Sequence, residues 1–232
     1  MADGRGGFRE IETPEFELGT LPAGNLYTTA EDLALFLRML FAPGPIVRAE
    51  SLAEMFTPQL TKDTNGFGVG FMVGRSRGRK IVSHTGAVYG FTSSLVAMPE
   101  EELGVVVLCN DDLAVGAVQK INEAAWDLLL EAKSGEKPPP AAADVELSLS
   151  AFVGEYQSES FWATIEPGKT MLFANVSGQK MALRPIGKNR FEATGRLVHK
   201  ATVTFEDDGS FKALGQTFRR VTQKRTVPRS GT

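Results

Sequence analysis

A ten-residue stretch rich in proline and alanine, residues 134–143, divides the chain into two parts with different hydrophobic patterns. Its three consecutive prolines favour a stiff, extended path, which is typical of a linker. Before it, apolar residues recur at helical spacing or in continuous runs; after it, short runs alternate with Gly, Asn and Asp turns. We therefore predict a first unit at 1–132, a linker at 133–147, a smaller unit at 148–224 and a disordered tail at 225–232.

Helical patterns lie at both ends of the first unit. Thr28 and Glu31 fit a capping box, and apolar residues follow at i, i+3, i+4 and i+7 from Leu33. A short second helix is expected at Glu50–Phe56. Apolar spacing that begins at Val115 predicts a third helix of roughly 18 residues.

Strand patterns fill the space between these helices. The runs are rich in apolar residues and bounded by turns, and they are Phe67–Val73, Lys80–His84, Phe91–Met98 and Leu103–Cys109. The basic stretch Gly74–Lys80 is predicted to be a solvated hairpin tip. The order helix, strands, helix predicts an α+β fold, with a partial antiparallel sheet flanked by helices.

The second unit shows eight short apolar runs separated by turn signals such as Pro167-Gly168 and Ser177-Gly178. These runs are Phe152–Tyr156, Phe161–Ile165, Met171–Val176, Met181–Ile186, Arg190–Ala193, Ala201–Glu206, Phe211–Leu214 and Thr217–Val221. Strands that follow each other this closely predict a small up-and-down β-barrel.

Composition excludes several classes of function. The chain has 232 residues, a net charge of -3 and no long basic stripe, so we expect no nucleic-acid partner. We find no apolar signal segment at its start and no run as long as a membrane span. The single cysteine, Cys109, lies in an apolar run and is predicted to be a buried small hydrophobe. We predict no metal and no cofactor.

Two segments carry a recognisable set of motifs. The first is Leu21–Leu40, with Pro-Ala-Gly-Asn before Thr-Thr-Ala-Glu-Asp-Leu-Ala, continued by Ile46–Pro58. The second comprises Gly66–Phe71, Ser83–Phe91 and Leu103–Asn110. In order and spacing they resemble the serine β-lactamase and penicillin-binding-protein family, in its class C, esterase and D-peptidase branch. The barrel resembles the lipocalin-like domain that some members append.

This resemblance implies a serine hydrolase that transfers an acyl group from a β-lactam, D-peptide or ester to water. The family combines a Ser-x-x-Lys nucleophile, a Tyr-x-Asn or Ser-x-Asn element and a Lys-Thr-Gly or His-x-Gly strand. His84-Thr85-Gly86 matches the third motif, and by family position Ala87 donates the oxyanion N–H. Gly86 would let the acyl group come close, while His84 and Thr85 would bind a substrate carboxylate or relay a proton.

The nucleophile motif has no suitable match. In family order it precedes the Pro-Ala-Gly segment, which only about 20 residues precede here, too few for a lobe of domain size. Two Ser-x-x-Lys strings, Ser134–Lys137 and Ser177–Lys180, fall in the linker and at a hairpin turn. A working motif opens a buried helix, so that Lys lies one turn from Ser. We therefore expect the chain to be inactive alone and to meet an acyl substrate only if an N-terminal part is supplied.

An apolar sheet face without its N-terminal cover would be exposed. The sequence therefore predicts a partner chain, self-association or a fragment of a longer gene product. An alternative hypothesis is a non-catalytic binding or regulatory module whose barrel holds an apolar ligand. The aromatic residues that could line such a barrel are Phe152, Tyr156, Phe161, Trp162, Phe173 and Phe191.

Overall fold

The computed structural model describes residues 12, 17–20, 22–42, 44, 46–61, 63–140, 147–213 and 215–221. They form two compact units, one within residues 1–138 and one within residues 139–232. The first unit is α+β and the second is a closed β-barrel, which confirms the predicted fold class. The tail at 225–232 lies outside the described residues.

The first unit contains three α-helices and one antiparallel sheet of five strands in the described part of the chain. In chain order its elements are α1 (Ala30–Phe41), α2 (Ala49–Met55), β1 (Gly66–Phe67), β2 (Met72–Ser76), β3 (Arg79–Val88), β4 (Phe91–Met98), β5 (Leu103–Cys109) and α3 (Val115–Ser134). The sheet order β1-β2-β3-β4-β5 follows the chain, so each strand pairs with the next.

The first helix begins one residue later than its capping box predicts. Thr29 is the N-cap, and its hydroxyl accepts a hydrogen bond from the Asp32 N–H at 3.1 Å. The Thr28 hydroxyl instead donates to the Thr29 carbonyl. Because the cap has moved by one position, Asp32 replaces Glu31 as the third residue after it.

Two strand predictions also differ from the structure. The run 67–73 is not one strand, because β1 ends at Phe67 and β2 begins at Met72. β3 is longer than predicted and continues past His84 to Val88. Its extension is held by β4, which pairs with it as far as Phe91. Pairing with the adjacent strand β4 therefore continues β3 through Thr85 and Gly86, although glycine disfavours strands.

Helices cover both faces of the sheet. On one face α1 and α2 pack against β2, β3 and β4 through the buried residues Leu37, Leu40, Leu52, Phe56, Phe71, Val73, Val82, Leu95 and Ala97. On the other face α3 packs through Met98, Val105, Trp126 and Leu130. This two-sided cover explains why β5 is a continuous apolar run.

The basic hairpin tip between β2 and β3 is paired, not simply solvated as predicted. Arg77 forms an ion pair with Asp127 of α3. Arg79 contacts Glu101 at 2.9 Å and Glu136 at 2.8 Å. The tip is therefore tied to α3 and to the segment that follows it.

The second unit is an eight-stranded barrel in which each strand pairs with the next and the last pairs with the first. Its strands are β6 (Gly154–Gln157), β7 (Trp162–Pro167), β8 (Leu172–Val176), β9 (Gln179–Pro185), β10 (Arg190–Gly195), β11 (Ala201–Phe205), β12 (Phe211–Ala213) and β13 (Gln216–Arg220). The up-and-down topology is the one predicted.

The aromatic residues predicted to line the barrel divide into three groups. Phe152, Tyr156 and Phe191 pack in the interior. Trp162 and Phe173 are each 49% exposed and lie outside, since they alternate along their strands with the buried Ala163 and Leu172. Phe161, the residue before β7, is 45% exposed. Of the six residues that could line the barrel, three therefore pack in its core.

Tyr156 provides a pH-dependent test of the barrel core. It is 1% exposed, and its hydroxyl donates to the Phe152 carbonyl at 2.8 Å and accepts from Arg220 at 2.9 Å. Burial raises the pKa of Tyr156 above its ordinary value of 10.0. The unfolded chain therefore loses this proton first as pH rises above about 10, and the folded state loses stability there.

We expect Tyr156→Phe to lower the free energy of unfolding by about 1–2 kcal/mol at neutral pH and to flatten its alkaline decline. Urea denaturation at neutral and alkaline pH measures both effects. Tyr89→Phe is the matched control, because Tyr89 is 70% exposed. Equal alkaline declines in the wild type and Tyr156→Phe would count against this assignment.

Candidate active site

Strand β3 runs past the end of β2, which leaves its last residues at an edge of the described sheet. Pairing with β2 ends at Met72 and Ser83. On the other side, pairing with β4 continues to Val88 and Phe91. The segment 84–88 thus has one side that no described strand occupies. It contains all four predicted site residues.

These four residues lie on the wall of a cavity of about 650 Å³. The wall has contributions from residues 24–28 before α1, from 84–88 of β3, from 91–95 of β4 and from 108–110 at the end of β5. Segments far apart in sequence therefore converge on the site that the His-Thr-Gly motif predicts.

The alternation of the strand sends the predicted residues to different faces. His84 and Gly86 share the face of Val82, on which α1 and α2 pack. Thr85 and Ala87 point to the opposite face. His84, Thr85 and Ala87 are exposed and Gly86 is half-buried. The four residues nevertheless lie close together, because they follow one another along the edge of β3 that no described strand occupies, where the two faces of the sheet meet.

Gly86 lies close to the side chain of its neighbour on β4. The two residues Gly86 and Ser93 pair directly. A Cβ atom added at Gly86 would lie 2.5 Å from the Ser93 Oγ, closer than non-bonded atoms can approach. The glycine therefore has a packing reason in addition to the open approach expected from the motif.

Two hydrogen bonds close the segment before α1 into a loop, which lies beside the end of β3. The Leu18 N–H donates to the Asn25 side-chain oxygen, and the Asn25 amide donates to the Leu18 carbonyl, both at 2.9 Å. Gly24 takes a φ of 88°, which side chains other than hydrogen rarely allow. A Cβ there would lie 3.3 Å from Val88. The Pro-Ala-Gly-Asn motif thus places this segment against the end of β3.

Sequence analysis missed Ser93, although Thr92, Ser93 and Ser94 stand out as hydroxyls in an apolar strand. Thr92 and Ser94 are buried and have structural partners: the Thr92 hydroxyl donates to the Asp111 carbonyl at 2.8 Å, and the Asn122 amide donates to Ser94 at 2.6 Å. Ser93 alternates with them and shares the face of Gly86. The alternation of side chains along a strand was the signal that could have distinguished Ser93 from Thr92 and Ser94.

The cavity wall is weakly polar. No carboxylate, lysine or arginine is among its lining residues, and the only imidazole is that of His84. Cys109, predicted to be buried, is half-buried and lies on this wall. Across the described ranges, no cluster of three or more His, Cys, Asp or Glu could hold a metal ion.

Neither Ser-x-x-Lys string opens a helix. Ser134 ends α3, and its hydroxyl donates to the Leu130 carbonyl at 2.9 Å. Ser177 lies in the turn between β8 and β9 with a φ of 48°. Neither serine lines the 650 Å³ cavity. The first string thus begins at the last residue of α3 and continues beyond the helix.

The sequence profile of the beta-lactamase family matches residues 2–130, more than half of the chain. The chain belongs to the beta-lactamase family. The match includes β3 and the whole cavity wall, so the site described above lies inside the family's domain. None of the helices in the described residues has the length and hydropathy of a membrane span.

The chain is also similar to individual proteins. A human protein named as beta-lactamase-like 1 is 29% identical over 142 residues, which are 56% of this chain and 28% of that protein. An octameric penicillin-binding protein homologue from Pyrococcus abyssi is 20% identical, with a TM-score of 0.42 over 82% of this chain and 46% of that one. A structure of SurE with D-Leu is 17% identical, with a TM-score of 0.41 over 83% and 50%.

Both TM-scores lie below 0.5, so family membership rests on the sequence profile. The beta-lactamase-family chain spans about a quarter of the human relative and about half of the two structures.

Proposed function

We propose that this beta-lactamase-family chain forms one wall of a serine acyl-transfer site, which a Ser-x-x-Lys helix from outside these 232 residues completes. The observation that carries the proposal is the edge of β3 at 84–88, which lines the 650 Å³ cavity and has no β2 partner. The position of His84-Thr85-Gly86 in the matched domain supports the same assignment.

We assign two roles to this edge: it stabilises the oxyanion and it orients the substrate. The serine of the Ser-x-x-Lys helix attacks the acyl carbon, and its proton passes to the leaving group. Water then hydrolyses the acyl-enzyme and releases the acid. The N–H of Ala87 donates to the oxyanion that forms during attack. His84 and Thr85 orient the substrate or relay a proton, while Gly86 keeps the approach open.

The cavity wall offers an apolar surface for the missing helix. Its apolar side chains include Leu26, Tyr27, Phe91 and Leu108, which are 81%, 73%, 41% and 41% exposed. Burying apolar surface stabilises by about 25 cal/mol per Å², so a helix seated here gains affinity as it completes the site. We propose that this helix comes from a longer gene product or a partner chain.

The substrate class remains a β-lactam, a D-peptide or an ester. The weakly polar wall suits the apolar part of each of these acyl groups. Since the family match covers the site strand, a purely non-catalytic module is the less favoured function.

A fluorescent fluorophosphonate tests this proposal without assuming a substrate. The chain is tagged at its own chromosomal locus and purified with any segment or partner to which it is joined. We expect the isolated 25.1 kDa chain to remain unlabelled, while the native preparation carries label on a longer or co-purifying polypeptide. Label on the 25.1 kDa chain itself, or none in either sample, would contradict the proposal.

A further inference from the structure

The barrel is filled unevenly along its length. At the end where β6 begins, the rings of Phe152, Phe191 and Phe205 pack with centroids 4.6–5.4 Å apart. Phe152 belongs to the short helical turn Leu149–Phe152, which packs against the barrel core at this end. Aromatic rings and a helical turn therefore close one end.

Small side chains face inward toward the other end. They come from four strands and are Ala174, Ala193, Ala201 and Ala213. Neighbouring strands keep the same separation along the barrel, whatever the size of their side chains. The small residues therefore leave a cavity of about 450 Å³. Its size lies within the usual range for small-molecule sites, roughly 300–1,000 Å³.

The cavity wall has the chemistry of an apolar ligand site. None of its lining residues carries a charge. Its polar side chains, Ser177, Gln179 and Gln216, lie at or just beyond strand ends, where the barrel opens. The half-exposed Phe161 lines the same opening. An apolar interior with a neutral polar rim favours a ligand that is mainly hydrocarbon.

We propose that the barrel binds one small hydrocarbon-chain molecule, with its chain against the neighbouring Ala193 and Ala201 and its polar end at Gln179 and Gln216. This site lies wholly in the second unit and does not depend on the proposed acyl-transfer function. Because the wall lacks a cation, a neutral ester binds at least as tightly as the corresponding acid.

Titration with cis-parinaric acid, a fluorescent fatty acid, and with its methyl ester tests the proposal on the full chain. We expect saturable binding of one molecule per chain for both probes. Ala201→Phe and Ala213→Phe place a ring in the cavity and should each weaken binding at least about tenfold. Thr202→Phe is the matched control, since Thr202 is exposed and points away from the cavity, and it should leave binding unchanged.

Three results would overturn the proposal: no saturable binding to the wild type, equal binding to the filled variants, or binding of the acid but not the ester. If the filled variants fail to fold, photolabelling of the wild type with a diazirine-bearing fatty acid decides. Label on peptides within 161–218 supports the barrel site. Label confined to 24–110, around the first cavity, would contradict it.

Discussion

Replacement of Gly86 by alanine is expected to lower the rate of serine acylation in the completed enzyme about 100-fold. The added methyl group enters the edge of β3 where the acyl group is proposed to lie. It also meets the Ser93 Oγ at 2.5 Å, so one of the two strands must shift or the serine must rotate. The fluorophosphonate labelling rate of the native preparation measures the first effect.

A double variant separates catalysis from packing at this position. Gly86→Ala should cost about 1–2 kcal/mol of stability, because the site is overpacked. Adding Ser93→Ala removes the clashing hydroxyl and should restore most of that stability, yet the methyl group still obstructs the acyl group. Recovery of the labelling rate together with stability would show that Gly86 has only a packing role.

Truncation of Phe205 to alanine is expected to destabilise the barrel by about 3–5 kcal/mol. Phe205 is 3% exposed, and its ring lies 4.6–6.1 Å from the rings of Phe152, Tyr156, Phe191 and Phe211. Removing it opens a cavity at the centre of the aromatic end, where the neighbouring rings cannot all move inward. Urea denaturation followed by near-UV circular dichroism measures the loss.

Phe173→Ala is the control for this truncation. It removes the same ring from the outside of the barrel, where Phe173 is 49% exposed, and should cost less than about 1 kcal/mol. Similar losses for the two variants would mean that the rings around Phe205 do not form the stabilising core described here.

The periodicity of apolar residues was enough to predict the fold class of both units. The run at Phe91–Met98 and the run at Leu103–Cys109 became strands with those bounds. The eight short runs after the linker became a closed barrel in chain order. These predictions succeeded because alternation and turn residues are local signals that this fold obeys.

Strand pairing and strand phase explain the errors. The extension of β3 beyond His84 depends on β4, so Thr85-Gly86 could not be recognised as strand from its own residues. Pairing also decides which face each residue takes, and this placed Ser93 beside Gly86. Likewise, Trp162 and Phe173 lie outside the barrel because of their strand phase, which hydrophobicity alone does not indicate.

The residues of the candidate site were identified by motif, while their convergence required the structure. His84, Thr85, Gly86 and Ala87 form one edge, but the segment around Gly24 and the end of β5 reach the same cavity only in the folded chain. The sequence context of the two Ser-x-x-Lys strings was enough to reject them as nucleophile motifs, and neither lies on that cavity.

Peptide mass spectrometry of the fluorophosphonate adduct tests the central claim most directly, because it identifies the acylated serine. We expect an adduct on a Ser-x-x-Lys serine outside residues 1–232, with the cavity edge of this chain opposite it. A stoichiometric adduct on a serine of this chain, such as Ser93 on the cavity wall, would contradict it.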